Sequence, residues 1–339
     1  MHSSLISVYP ATMSVRSLDL LDLPSLPRCR RDVLSLDSAR TLTRGNPLGA
    51  VALLAYLNPR RHIYTAVCSG DGLSLMGQVV QSEGASFARL TFLAPNELLG
   101  AGEVPLLDHL ARQAGGWGAL HLLAEVDERS KAFKSLRQAG YAMYAWQRVW
   151  KLDIPTTLIA GDWREAASLD LVAVQGLYSQ IVPALIQPVE IMPRKPVGLV
   201  CRTNGEVQAY VGLTYGPAGI WAQPLIHPAA EAVPERIAAL LLELPDRRER
   251  PVYVCVRSYQ AWLEGVLEEL GAEAGPRQAV MVKRLAKLQK IEEKIPAMEK
   301  ALKPAAPIAS STKILYSGSH SSGYHYSSSE SYYSGKEKE

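Results

Sequence analysis

The chain has 339 residues, of which 47% are hydrophobic and 20% charged, so it can bury the cores of two globular domains. Its 36 basic and 33 acidic residues nearly balance, which excludes a dedicated nucleic-acid binder because such binders neutralise many phosphates. The apolar stretches are too short to span a bilayer, and the four cysteines form no CxxC pair. We therefore expect a cytoplasmic protein with reduced thiols, no metal, no membrane contact and no disulfide framework.

The two ends of the chain differ in composition from the rest. Residues 1–12 lack the basic and apolar regions of a signal peptide, and they predict an extension before a second methionine, Met13. Residues 287–308 have helical spacing interrupted by Pro296 and predict a short helical connector. Residues 309–339 contain 11 Ser and 5 Tyr with few aliphatic side chains, and they predict a disordered tail that could engage a protein partner.

The first half of the chain, residues 13–153, predicts alternating strands and helices. Glycine, proline and N-capping residues mark the boundaries of the elements. In chain order they are a strand and a helix within Val15–Cys29, strands at Ile63–Gly70, Leu73–Gln81 and Phe87–Pro95, a helix over Pro105–Ala114, a strand over Ala119–Val126, a helix from an Asp127 N-cap to Gly140, and a strand over Tyr141–Leu152.

The second half, residues 154–286, repeats this pattern at an offset of about 129 to 133 residues. Its predicted elements are a strand and a helix within Leu158–Pro183, a hairpin over Gly198–Tyr215 that turns at Asn204-Gly205, a strand over Ile220–Pro228, a helix over Val233–Leu244, a strand over Pro251–Ser258, a helix over Ser258–Gly271 and a closing strand. The repeat predicts two copies of one α/β unit, each a mixed sheet with helices on both faces.

This order of elements resembles the GNAT acetyltransferase superfamily, duplicated in tandem. The segment LLAEVDERSKAFKSLRQAGYAMYAWQRVWKL (Leu122–Leu152) looks like that family's late strand–helix–strand, in which the helix ends in a Gly-aromatic pair, here Gly140-Tyr141. The opening VRSLDLLDLPSL looks like the family's first strand and helix. The resemblance implies a tandem acyl-CoA N-acyltransferase fold, in which the fourth and fifth strands, here Phe87–Pro95 and Ala119–Val126, splay apart around the pantetheine of acyl-CoA.

The resemblance also implies acetyl-CoA as co-substrate, bound by four residues of the first copy: Leu93, Ala94, Gly100 and Gly102. The two glycines belong to a candidate pyrophosphate loop, where bare backbone N–H groups at a helix N-terminus must approach the phosphates. Glu97 carries the wrong charge for the residue that opens this loop in the family. The corresponding residues 229–234 of the second copy contain no glycine. Domain 1 is therefore the better candidate for an active half.

The proton-transfer residues of the family are only partly represented. Its general-acid tyrosine aligns with Leu136 and Leu267, which cannot transfer a proton and are predicted to be core leucines. Glu125, at the end of the fifth strand, is the candidate general base, and the alternative is a solvated strand-end carboxylate. The other candidates are His121, Asp127, Tyr141, Tyr144 and His227, each of which also has an ordinary structural interpretation.

Two functions follow from these residues. The first is a GNAT-type acyl-CoA-dependent N-acyltransferase, acting on an unidentified small-molecule or protein amine. The second is a non-catalytic tandem GNAT-like binding or scaffold module whose tail is an interaction arm. The fold resemblance favours the first, whereas the altered loop and the missing tyrosine favour the second. A basic run, Arg28, Arg30 and Arg31, is a further candidate for contact with an anionic ligand.

Overall fold

The computed structural model describes residues 14–19, 22, 24, 26–49, 60–70, 73–100, 102–152, 162–190, 192 and 195–285. The predicted extension (1–12), connector (287–308) and tail (309–339) lie outside these residues. Within the described residues, no helix combines the length and the apolar character needed to cross a bilayer.

The described elements follow the predicted order in both halves. The strands of the first half are β1 (Ser14–Ser17), β2 (Leu34–Ser35), β3 (Arg61–Gly70), β4 (Leu73–Ser82), β5 (Phe87–Ala94), β6 (His121–Asp127) and β7 (Ala142–Leu152), and its helices are α1 (Leu26–Arg31), α2 (Ser38–Arg44), α3 (Val104–Gly116) and α4 (Lys131–Gln138). The second half contains strands β8 (Trp163–Glu165), β9 (Gly198–Thr203), β10 (Glu206–Tyr215), β11 (Ile220–Ile226), β12 (Val252–Arg257) and β13 (Glu273–Arg284), with helices α5 (Leu171–Ile181), α6 (Val233–Glu243) and α7 (Leu263–Glu269).

Local sequence signals account for most of these boundaries. Proline lies in the first turn of α3, where its missing N–H has no intrahelical partner. Asn204 and Gly205 both have positive φ, 53° and 85°, as a tight hairpin turn requires. The predicted N-cap of α4 is wrong, because Ser130 caps that helix by accepting a hydrogen bond from the Ala132 N–H (3.2 Å).

The thirteen described strands form one mixed sheet, which confirms the predicted α/β fold class. Their order is β1-β3-β4-β5-β6-β13-β7-β12-β11-β10-β9-β8, with β2 paired to β5. The halves exchange their closing strands: β13 lies antiparallel between β6 and β7, and β7 lies antiparallel beside β12. The sequence did not predict this exchange. The domain limits 13–153 and 154–286 stay a prediction drawn from the repeat.

The two largest apolar clusters among the described residues lie on the sheet, one in each half. Residues of α3 and α4 pack on the strands of the first half, and residues of α6 and α7 pack on those of the second. The halves also meet where α2 docks on the β10–β11 turn. A Cβ on Gly216 would lie 2.1 Å from the Thr43 carbonyl oxygen, and one on Gly219 would lie 2.8 Å from that of Leu42. Only glycine permits this close approach of the two backbones.

Candidate functional site

The wedge between β5 and β6 is the place where the resemblance puts the pantetheine arm. The two strands run parallel and pair from Phe87 with His121 to Arg89 with Leu123, and then separate as expected. Residues 34–36 fill the space that opens. The Leu36 N–H donates to the Thr91 carbonyl (2.9 Å), and the Leu36 carbonyl accepts from the Glu125 N–H (2.9 Å). The chain's own backbone thus bridges the two strands at the apex of the wedge.

Leu93 and Ala94, two of the predicted cofactor-binding residues, are fully buried in this wall of the wedge. The Leu93 backbone pairs with Leu34 on one side and with Gly77 on the other. Its side chain lies under α3, where a Cβ on Gly77 would come within 3.0 Å of it. The backbone of Leu93 therefore already has strand partners on both sides, and its role as an acetyl-CoA contact stays a prediction.

Gly100 and Gly102, the other two predicted cofactor-binding residues, lie just before α3 with φ of 96° and 145°. Both of their N–H groups point to one carboxylate, that of Glu103. Gly100 donates to its two oxygens at 2.9 and 3.0 Å, and Gly102 donates to Oε2 at 3.2 Å. Glu103 is 1% exposed. This carboxylate occupies the anion-binding amides that a pyrophosphate would need, and its charge repels a phosphate there.

The equivalent wedge of the second half lies between β11 and β12. These strands pair in parallel from Ile220 with Val252 to Ala222 with Val254. Beyond that point the buried Gln260 side chain bonds to β11. Its Oε1 accepts from the Ile226 N–H (2.9 Å), and its Nε2 donates to the Pro224 carbonyl (2.8 Å). A glutamine carboxamide therefore satisfies the strand groups that a pantetheine amide would contact.

Glu125, the predicted general base, lies at the centre of the sheet and is 2% exposed, so its interpretation as a solvated carboxylate is wrong. Its Oε2 accepts from the Ser38 N–H (2.9 Å), and its Oε1 lies 3.5 Å from Nη1 of Arg89. Burial alone would raise the pKa of this carboxyl. The positive charges of Arg257 and Arg89, together with hydrogen bonds from Ser38 and Gln147, outweigh burial and lower the pKa. The geometry is that of a paired, ionised structural carboxylate.

The other proton-transfer candidates have structural surroundings. Leu136 and Leu267 are fully buried core leucines, as predicted. Burial raises the pKa of the Tyr141 hydroxyl well above its usual value, and it also raises that of Tyr144. Nδ1 of His227 accepts from the N–H of Ala229 (3.2 Å). Among the described residues, none of these groups lines an open wedge, since both wedges are occupied by the chain itself.

A cavity of about 700 Å³ lies between the two halves, and sequence reasoning missed it. Five arginines and two carboxylates line it: Arg40, Arg44, Arg61, Arg89, Arg257, Asp37 and Glu190. The lining also includes six aromatic side chains, Phe87, Tyr178, Tyr210, Tyr215, Trp221 and Tyr259. This volume lies within the range of small-molecule sites, roughly 300–1,000 Å³. No sequence motif could have revealed the cavity, because its walls come from separate strands and helices of both halves.

The arginines selected from the sequence are not those of the cavity. Arg30 and Arg31 are exposed on α1 and do not belong to its lining. The structure places Glu125 beside Arg89, a residue of the cavity lining, and it places Gly100 and Gly102 just before α3. Their joint role as one acyl-CoA site stays a prediction.

A scan against protein-family models finds no match, and no curated protein matches the sequence. Similar solved structures include a GCN5-related N-acetyltransferase from Sphaerobacter thermophilus, at 14% identity over 81% of this chain and 96% of that chain, with a TM-score of 0.47. A tandem GNAT protein from the clavulanic acid biosynthesis pathway is similar at 16% identity over 80% and 98%, with a TM-score of 0.45. An acetyltransferase of the GNAT family from Colwellia psychrerythraea is similar at 11% identity over 80% and 99%, with a TM-score of 0.41. These structures carry the superfamily name that the sequence suggested, but at these identities and TM-scores they assign no residue a role in this chain.

Proposed function

We propose that this chain is a ligand-binding module built on a duplicated acyltransferase-like sheet, and that it does not transfer acyl groups from acyl-CoA. The filled wedge between β5 and β6 carries this proposal. Where the strands separate, the Leu36 N–H donates to the Thr91 carbonyl, and the Leu36 carbonyl accepts from the Glu125 N–H. A pantetheine arm could enter only after residues 34–36 had left the sheet.

The free energy of that displacement opposes acetyl-CoA binding. At least the two backbone hydrogen bonds of Leu36 would break, each worth about 0.5–1.5 kcal/mol, together with the pairing of β2 with β5. The Leu36 side chain, 1% exposed, would also leave the core at about 1.5–3 kcal/mol. The total of roughly 3–6 kcal/mol lowers the affinity for acetyl-CoA by a factor of about a hundred or more.

Acetyl-CoA does not fit the remaining binding features either. The Gly100 and Gly102 amides are bound to Glu103, the second wedge is bound to Gln260, and leucines stand at both general-acid positions. The cavity between the halves is a concave surface open to a ligand and lined by charged and aromatic side chains. We therefore assign ligand binding to that cavity and not to the strand wedges.

Hydrogen exchange of the full chain with and without millimolar acetyl-CoA tests this proposal, together with a thiol-release assay in the presence of small amines. We expect unchanged exchange over residues 34–38 and 96–103 and no release of CoA. Glu103→Gln removes the negative charge that lies against the Gly100 and Gly102 amides. Glu97→Gln is its matched control, because Glu97 is exposed. We expect neither variant to bind acetyl-CoA, because the wedge stays filled. Slower exchange at Gly100 and Gly102, or faster exchange at Leu36, on adding acetyl-CoA would overturn the proposal.

A further inference from the structure

We propose that the cavity between the halves binds a small organic phosphate, with the phosphate on Arg44 and Arg61 and a planar ring against the aromatic side chains of the second half. This inference rests on the proposed function and names the class of ligand for it. Three features of the cavity support it: positive charge without an ion-pair partner among the described residues, an aromatic wall and size.

Neither Arg44 nor Arg61 has an ion-pair partner among the described residues. None of the ion pairs formed by the described residues includes either guanidinium. Both residues are half-buried in the cavity wall, at the end of α2 and the start of β3. Burial and the neighbouring charge of Arg44 lower the pKa of Arg61, although Asp37 acts in the opposite sense. Two like charges held close together are stabilised by an anion with two negative charges.

The deeper arginines of the cavity are, by contrast, already neutralised. Arg89 lies 3.5 Å from the carboxylate of Glu125. Nε of Arg257 lies 2.8 Å from the carboxylate of Glu190, and Nη1 of Arg257 donates to the Gln147 side chain. The Arg89–Glu125 pair lies within the first half and the Arg257–Glu190 pair within the second, and both leave little positive charge for a ligand. The ligand's charged group is therefore expected at the Arg44–Arg61 end.

The second half contributes an aromatic wall to the cavity. The rings of Tyr210, Tyr215 and Trp221 line the cavity. The buried hydroxyl of Tyr215 has no hydrogen-bond partner among the described residues, and the Arg250 guanidinium lies over its ring, 5.5 Å from the centroid. That hydroxyl is enclosed by the protein, so the accessible part of Tyr215 is its ring. The rings themselves offer flat apolar surface to a planar group.

The charge and the size together select the ligand class. A phosphate monoester carries close to two negative charges at pH 7 and has oxygens placed for bidentate contact with guanidinium groups. A cavity of about 700 Å³ is much larger than an inorganic anion needs, and it matches a small organic molecule. Arginine is also the side chain best suited to this contact, because its planar fork presents several donors at once.

Calorimetry of the full chain with phenyl phosphate tests this proposal, with inorganic phosphate and phenol as the two partial probes. We expect phenyl phosphate to bind more tightly than either partial probe. The double variant Arg44→Gln/Arg61→Gln is expected to weaken its binding by about a hundredfold, at about tenfold for each lost charge-assisted hydrogen bond. The matched control Arg112→Gln/Arg137→Gln removes two exposed charges outside the cavity and is expected to bind as the wild type does.

A third variant keeps the charge and changes the geometry. Arg61→Lys retains a cation but loses the bidentate fork, so we expect a weakening of about tenfold, between the wild type and the double variant. Loss of two unpaired like charges relieves repulsion, so the double variant is expected to unfold at or above the wild-type temperature. This stability measurement separates lost binding from lost folding.

Three results would overturn the proposal: no heat with phenyl phosphate at millimolar concentration, equal binding to the double variant, or equal binding of phenol. Failure of the proposed function gives a different result, namely acetyl-CoA binding that alters exchange at Leu36, Gly100 and Gly102. That result would leave the phenyl phosphate comparison unaffected, because the Arg44–Arg61 end does not include those residues.

Discussion

Replacing Glu125 with glutamine removes a negative charge that is 2% exposed and lies 3.5 Å from Arg89. Removing one partner of a buried ion pair costs about 3–5 kcal/mol, because the other charge is left uncompensated. Arg89 is 34% exposed, and glutamine can still accept from the Ser38 N–H, so we expect a loss of about 2–4 kcal/mol. At about 2–4 °C for each kcal/mol in a chain of this size, Tm falls by roughly 5–15 °C.

Urea unfolding followed by circular dichroism measures this loss at pH 7. Glu128→Gln is the matched control, since its carboxylate is 34% exposed and lies 3.6 Å from Arg277, a pair worth less than about 1 kcal/mol. We therefore expect a structural role for Glu125. An unchanged stability of Glu125→Gln, accompanied by loss of a measurable acyl transfer, would refute it and make Glu125 a catalytic residue.

The same carboxylate predicts a dependence of stability on pH. The folded state lowers the pKa of Glu125, so its contribution is complete above the unfolded pKa of about 4.3 and is lost as the pH falls through the folded value. Glu125→Gln is therefore expected to bring the free energies of unfolding of variant and wild type closer together in acid. Burial acts in the opposite sense on Asp37 and raises its pKa. The decrease in the stability of the wild type at low pH thus reflects both carboxyl groups. The difference in the free energy of unfolding between wild type and variant isolates the contribution of Glu125.

Two further predictions concern the second half and its contact with the first. Asp170 is fully buried, accepts from two arginine side chains at 2.5–2.9 Å and has a pKa held far below its usual value by those bonds. Asp170→Asn is expected to lower the free energy of unfolding at pH 7 by roughly 2–3 kcal/mol. Below about pH 4 the free energy of unfolding of the variant is expected to decrease less steeply with falling pH than that of the wild type. An equal loss at every pH would contradict the lowered pKa of Asp170. Gly216→Ala places a Cβ 2.1 Å from the Thr43 carbonyl oxygen and is expected to destabilise the docking of α2. Gly115→Ala is its control, because the Cβ would meet open space on α3, and it is expected to stabilise the protein by about 0.5–1 kcal/mol. Thermal unfolding of both variants checks this pair, and equal Tm values would show that the halves can separate at this contact.

Short-range signals determined the elements. The helix predicted over Pro105–Ala114 spans Val104–Gly116, and the strand predicted over Phe87–Pro95 spans Phe87–Ala94. The family resemblance, and not these patterns, implied the strand pair that separates, which the structure contains in both halves. Proline, glycine and apolar spacing act within a few residues, so they can be recognised without the fold. The N-cap of α4 was missed because Asp127 and Ser130 are both capable of capping.

The candidate site depended on contacts between distant residues. Glu103, next to the predicted glycines, binds their amides, but nothing in the sequence distinguishes it from an exposed first-turn carboxylate. Gln260 reaches β11 over 34 residues, and Glu125 reaches Ser38 over 87. A side chain's partner at such a separation is set by the packing of whole elements, so residue type and spacing alone leave it open.

The repeat of a mixed α/β unit and its order of elements can be read from the residues, and the family resemblance adds that leucine stands where the family has its general-acid tyrosine. Which strands are neighbours became known from the fold. β7 and β13 each close a repeat and each could pair with either half, and the structure places both in the middle of one sheet, where each lies beside the other half's strand. Strands pair through backbone N–H and C=O groups, which are nearly the same in every residue. The partner of a strand and its register therefore depend on how the buried faces of the elements pack together. The same assembly places residues 34–36 in the first wedge and forms the arginine-lined cavity between the halves.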